Sequence, residues 1–163
     1  MGILDEDLIS FWSSLAESDV LYIMVGGFAV NMHGYLRATQ DVDIWIKDEP
    51  ANRVNLGRAM KVFGYEGLDW EDMQFVPGWT NFYIGHGILL DILIKMKGLE
   101  GYSFDECLKM ATIAEIGNVK IPFLHINQLI ANKKAVNRSK DQIDVIVRTG
   151  RGLFPREEMG LNQ

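Results

Sequence analysis

The sequence predicts an α/β (α+β) domain, and three observations carry that reading. Residues 21–25, LYIMV, are a short and nearly all-apolar run ending at Gly26-Gly27, as a buried strand entering a turn would be. Residues 41–46, DVDIWI, alternate acids with apolar side chains, the period of a strand with two different faces. Apolar residues recur at helical spacing over 5–17 and again over 51–63, which brackets those strands with amphipathic helices.

The chain has 163 residues, 48% hydrophobic and 23% charged, which suits one compact domain over 1–163 able to bury a core without staples. Residues 126–150 read as its C-terminal helical segment. Cys107 is the single cysteine, so no intrachain disulfide forms and a reducing compartment is expected. The net charge of −6, from 22 acidic against 16 basic residues, argues against broad electrostatic capture of nucleic acid. The acidic start MGILDEDL is unlike a secretory signal, and no apolar run is long enough to span a bilayer. The expectation is a cytoplasmic protein with no membrane partner.

Taken in order, residues 5–17 set Leu8, Phe11, Trp12 and Leu15 on one helical stripe, with an acidic first turn that suits the helix dipole. Gly26 and Gly27 let the chain turn sharply and bring its backbone close to a ligand. With 28–34 helical, their amides lie at a helix N-terminus, where a phosphate is favoured. A tight strand-to-helix turn without a ligand is the alternative. Arg37 is a candidate for phosphate contact or for an ion pair with the acids that follow, and Thr39 for holding the turn that presents Asp41. His33 reads as a residue that caps or packs at the helix end, and His86 and His125 are isolated.

In 41–46 the two-residue period puts Asp41, Asp43 and Trp45 on one face and Val42, Ile44 and Ile46 on the other. Two carboxylates so close repel unless a cation sits between them, and a hard divalent ion with oxygen ligands meets that need. A solvated acidic strand face is the alternative. Over 51–63, Val54, Leu56, Ala59, Met60 and Phe63 are expected inside, with Asn52, Arg53, Asn55, Arg58 and Lys61 outside and Gly64 ending the helix. Residues 68–78 read as a strand with a loop over the site. Trp79 reads as a core or lid residue, with stacking on a base or sugar as the alternative.

Residues 81–85 and 88–96 predict two strands paired across Gly85-His86-Gly87. Asp91 lies inside the second, and a lone acid in an apolar strand is costly unless it is paired, liganded or locally hydrogen-bonded. If that strand lies beside the one bearing Asp41 and Asp43, three carboxylates converge. Ser103 and Glu106 are spaced as a capping box, and Cys107 reads as a small buried hydrophobe. Residues 113–121 predict a hairpin turning at Gly117-Asn118 and closed by Pro122. A helix capped by Asn127 is expected to pack through Leu129, Ile130 and Ala135, followed by a last helix over 141–150. Lys133, Lys134, Arg138 and Lys140 form a basic concentration suited to a triphosphate or to a solvated face.

The glycine pair Gly26-Gly27, the segment HGYLRATQDVDIW with Asp41 and Asp43, and the strand acid Asp91 together resemble the nucleotidyltransferase superfamily that includes DNA polymerase beta. The resemblance is to its small bacterial branch of aminoglycoside- and lincosamide-modifying enzymes, abortive-infection transferases and minimal domains. The tail NQLIANKKAVNRSKDQIDVI is similar to the C-terminal part of those domains, with Lys133, Asp141 and Asp144 at matching positions.

That resemblance implies a nucleotidyltransferase fold, a mixed twisted sheet flanked by helices with a short C-terminal helical tail. It implies two Mg²⁺ ions on Asp41, Asp43 and Asp91, and a nucleoside triphosphate such as ATP as donor. Gly26, Gly27, Arg37, Thr39 and Lys133 would then attend the nucleotide. Many members carry a serine after the glycines, where this chain has Phe28. The implied reaction transfers a nucleoside monophosphate to a hydroxyl of a small-molecule or protein acceptor and releases pyrophosphate. An idle or antitoxin-like nucleotide-binding or protein-interaction domain is the alternative, with a homodimer or a toxin-antitoxin-type partner.

Overall fold

The structure is a computed structural model that describes residues 6–34 and 41–136. Arg37, Thr39, Arg138, Lys140, Asp141, Asp144 and the helix expected over 141–150 lie outside the described residues.

The element order is α1 (Glu6–Glu17), β1 (Tyr22–Val25), α2 (Gly26–Met32), β2 (Asp41–Ile46), α3 (Pro50–Met60), β3 (Asn81–Tyr83), β4 (Leu89–Leu93), α4 (Phe104–Met110), β5 (Thr112–Ile116), β6 (Val119–Phe123) and α5 (Ile126–Val136). The six strands form one sheet in the order β3-β4-β2-β1-β6-β5. The pairs β2–β4 and β1–β6 are parallel and the others antiparallel, so the sheet is mixed. A parallel neighbour requires a long crossover, and the chain between β2 and β4, which contains α3, provides it.

The alternation read from the sequence decides which face packs. Tyr22 opposes Ile46, Met24 opposes Ile44, Val42 opposes Leu90, and Phe82 also opposes Leu90, so these side chains share one face, and all are buried. Helix α1 covers that face: Trp12 stacks on Tyr22 with ring centroids 5.9 Å apart. Ser14 Oγ, also on α1, donates to the Ala59 carbonyl at 2.7 Å and ties α1 to α3. Each large apolar side chain removed from water here contributes about 1.5–3 kcal/mol.

Helix α3 buries Leu56, Ala59 and Met60 as its apolar pattern predicts, but its inward face is wider than that pattern. Val54 is 44% exposed, whereas Asn52 and Arg53 are 3% and 8% exposed. Asn52 accepts from the Leu21 N–H and donates to the Leu21 and Lys47 carbonyls, which joins the start of β1 to the end of β2. Arg53 pairs with Asp48 at 2.6 Å, donates to the Trp70 and Met73 carbonyls, and lies 4.9 Å from the centre of the Phe75 ring. Burial of these polar side chains is tolerated because their hydrogen bonds are made.

Other expectations shift by a few residues. The helix expected over 28–34 begins at Gly26 and ends at Met32. The helix expected to end at Gly64 gives way at Met60 to a 3-10 turn, Lys61–Phe63, before Gly64 closes it with φ of 91°. Residues 68–78 contain no strand; Trp70 and Phe75 instead join the core, Trp70 packing against Phe82 and beside Phe75. Pro122 does not close the hairpin but lies inside β6, opposite Ile113. Its missing N–H costs little, because β6 meets β1 only at Met24 and Phe123. Asn127 does not cap α5 with its side chain; its N–H donates to His125 Nδ1 at 3.1 Å. The capping box at Ser103 and Glu106 forms with both of its bonds.

Candidate functional site

The face of the sheet opposite the α1-covered core carries the acids. Strands β2 and β4 run parallel with Asp43 opposite Asp91 and Asp41 opposite Leu89, so all three carboxylates point to that face. The row extends both ways: Asn81 of β3 opposes Asp91, and Val25 of β1 opposes Asp43. Val25 leads directly into Gly26, whose φ of 72° turns the chain into α2. A Cβ built on Gly26 would collide with Asp43 Oδ2, so only glycine lets that carboxylate lie over the turn.

One cleft of about 670 Å³ is lined by Gly26, Gly27, Asp41, Asp43, Asp91 and Lys133. These are all the candidate residues that fall among the described ones. Lys133 arrives from α5, which is tied to the segment that follows β4: Asn132 Nδ2 donates to the Lys97 carbonyl at 2.8 Å. A Cβ on Gly98 would lie 2.7 Å from the Ala131 carbonyl oxygen, so glycine permits this close approach.

Asp91 is only partly satisfied. The Gly78 N–H donates to its Oδ2 at 3.1 Å, while its Oδ1 is buried with no hydrogen-bond partner. Burial pushes the Asp91 carboxyl above its usual range, against the lowering effect of the Gly78 and Ile92 N–H groups, and the Asp41 charge adds to the rise. Among the described residues, no three His, Cys, Asp or Glu side chains come together closely enough to hold a metal ion as they stand. The donor chemistry still fits a hard divalent cation: carboxylate oxygens from neighbouring strands, one of them buried and lacking a partner.

The sequence reading missed part of the cleft. Lys95 and Lys97 line it too, so the basic residues near the acids are not confined to the stretch around Lys133. Their signal was present, since 91–97, DILIKMK, continues the two-residue period from Asp91 through Leu93 to both lysines. Trp79 is 86% exposed and so belongs to neither the core nor a packed lid. His33 is structural, as expected: its Nε2 lies 2.9 Å from the Leu124 carbonyl and its ring meets Phe123 edge-on. Cys107 is buried, and burial raises its thiol pKa, as befits a packing residue.

No protein-family model and no curated protein sequence matches the chain. Solved structures match it in shape. The solution structure of the antibiotic-resistance factor ANT(2'')-Ia superposes with a TM-score of 0.51 at 15% identity, over 95% of this chain and 78% of that one. The crystal structure of an antigenic nucleotidyltransferase-like protein from Paracoccidioides brasiliensis superposes with a TM-score of 0.55 at 16% identity, over 87% of this chain and 74% of that one. At such identities the likeness establishes the fold: a mixed twisted sheet flanked by helices, with a short C-terminal helical region, as in nucleotidyltransferases. None of the described helices is long and apolar enough to cross a membrane.

Proposed function

We propose that the chain is a metal-dependent nucleotidyltransferase that moves a nucleoside monophosphate from a nucleoside triphosphate to a hydroxyl of an acceptor. The observation that supports this most is the register of Asp43 with Asp91, which gathers three carboxylates on one face beside the Gly26 turn. Mg²⁺ held by Asp41 and Asp43, with Asp91 joining through Oδ1, would neutralise the triphosphate and make the acceptor hydroxyl easier to deprotonate.

The chain's own groups account for the rest. Gly26 seats the Asp43 carboxylate over the turn, the backbone at Gly26 and Gly27 faces the phosphates at the mouth of α2, and Lys133, Lys95 and Lys97 offset the charge of the leaving pyrophosphate. The acceptor oxygen bonds to the α phosphorus, and the bond from that phosphorus to the bridging oxygen breaks. Pyrophosphate departs with the electron pair, and the hydroxyl proton passes to solvent. Arg37 and Thr39 keep the nucleotide-facing roles that the resemblance implies.

The test is pyrophosphate release from nucleoside triphosphates with a panel of hydroxyl acceptors, in wild type and Asp91→Asn. Release that needs Mg²⁺ and vanishes in the variant supports the reading. Release that persists in Asp91→Asn contradicts the role of that residue. One observation favours a second reading, an idle nucleotide-binding domain: the Gly78 N–H already occupies Asp91 Oδ2. Nucleotide binding without release across the panel would favour it.

A further inference from the structure

Residues 76–80 form a turn whose backbone N–H groups can be accounted for one by one. The Val76 N–H donates to Thr80 Oγ1 at 3.1 Å, and the Trp79 and Thr80 N–H groups both donate to the Val76 carbonyl at 2.9 Å. Pro77 has no N–H. The Gly78 N–H is the one that leaves the turn, and it donates to Asp91 Oδ2 at 3.1 Å. Gly78 has φ of 81°, which glycine adopts without strain, and with Pro77 it lines the carboxylate cleft.

Thr80 staples this turn. Its hydroxyl accepts from the Val76 N–H and donates to the Gln74 carbonyl at 3.1 Å, so one side chain ties both residues to the start of β3. The feet of the loop are fixed as well. Phe75 is buried beside Trp70, with the Arg53 guanidinium over its ring, and Thr80 leads directly into Asn81, which stands opposite Asp91. The N–H that reaches Asp91 is therefore carried by a closed set of bonds and not by a slack loop.

What the turn does to Asp91 is uneven. One carboxylate oxygen is bonded, while Oδ1 is buried with no partner among the described residues. A buried acid that serves packing alone is best satisfied at both oxygens. A donor on one oxygen, with the other left open on the face shared with Asp43, is how an outer group orients a carboxylate toward a cation. A backbone N–H goes where its turn puts it, and here the Thr80 hydroxyl sets the turn, although Thr80 does not line the cleft.

Resting on the transferase reading for the cation, we propose that Thr80 is a positioning residue of the site. Through the 76–80 turn it fixes the Gly78 N–H on Asp91 Oδ2, and so holds the Asp91 carboxylate ready to join Asp41 and Asp43 on a divalent cation. Thr80 touches neither the cation nor the nucleotide, and its effect on the site passes through Asp91.

The experiment measures Mn²⁺ binding to the full chain without nucleotide, read from the loss of the free-ion signal in electron paramagnetic resonance. Thr80→Val keeps the size of the side chain and removes the hydroxyl. It is expected to weaken Mn²⁺ binding about tenfold, as when an outer partner of a metal ligand is lost. Thr80→Ser keeps the hydroxyl and should bind within about twofold of wild type. In an Asp91→Asn background, Thr80→Val should change the remaining affinity by less than about twofold, because the turn then has no carboxylate to orient. Hydrogen exchange at the Gly78 amide should be faster in Thr80→Val. Thermal melts check that this variant is folded, and Thr80→Ala replaces it if it is not. An equal loss in Thr80→Ser, or a loss of the same size that persists with Asp91→Asn, overturns the proposal. If wild type holds Mn²⁺ and Thr80→Val holds it equally well, the positioning role falls and the transferase reading stands. If wild type holds no Mn²⁺, the cation site falls and the role of Thr80 falls with it.

Discussion

The carboxylate of Asp43 occupies the space where a side chain on Gly26 would begin. Gly26 also has φ of 72°, so two separate demands fix glycine there. Gly64, with φ of 91°, meets the conformational demand alone, because a Cβ there would meet nothing within 4 Å. Gly64→Ala is therefore expected to cost about 1–2 kcal/mol in urea denaturation and to leave nucleotide binding unchanged. Gly26→Ala is expected to cost more than that and to weaken Mg²⁺-nucleotide binding at least about tenfold, since Asp43 must move. Equal binding by both variants would contradict the role given to this contact.

Asp91→Asn separates function from stability. Burial raises the Asp91 carboxyl, so the native state holds its proton more tightly than the unfolded chain does. Such a group contributes stability that is complete below its unfolded pKa and is lost as pH rises through its folded value. At neutral pH its ionised form is a cost, and the neutral amide can still accept from the Gly78 N–H. The variant should melt higher than wild type at pH ~7, with the gap closing toward pH ~4. Transfer should be lost throughout. Melting temperature against pH for the two proteins checks this, and a variant that melts lower at neutral pH would contradict it.

Lys133 and Lys95 line the cleft, whereas Lys134 on the same helix as Lys133 does not. Lys133→Met and Lys95→Met should each weaken triphosphate binding about tenfold or more, as expected for lost charge-assisted bonds. They should also flatten its dependence on salt. Lys134→Met should do neither. Binding isotherms at two salt concentrations read both effects.

Asn52 serves three backbone groups at once, and removing it leaves the Leu21 N–H without its partner, while the Leu21 and Lys47 carbonyls keep the Lys47 and Glu49 N–H groups. Asn52→Leu, despite its more apolar side chain, should destabilise the protein by about 2 kcal/mol in urea denaturation. A change under about 1 kcal/mol would mean that water replaces the amide.

What was legible in the sequence follows from what is local. The face bearing Asp41 and Asp43 could be read directly, because a two-residue period needs no partner strand. That Asp91 would stand opposite Asp43 and not Asp41 depends on the β2–β4 register, which the sequence states only as a possibility of adjacent strands. Asn52 and Arg53 were placed outside because they are polar; the backbone groups and the Phe75 ring that receive them come from distant segments. Pro122 looked like a stop because the missing N–H was visible and the single bridge to β1 was not. Lys95 and Lys97 were legible through their alternation with Asp91 but were passed over in favour of the denser basic cluster near Lys133.

The most direct test of the central claim is calorimetric titration of the protein with a non-hydrolysable nucleoside triphosphate, with Mg²⁺ and then with chelator, beside Asp43→Asn. The account predicts binding that requires Mg²⁺ and is lost in the variant. Binding of equal strength with chelator present, or retained in Asp43→Asn, would contradict it.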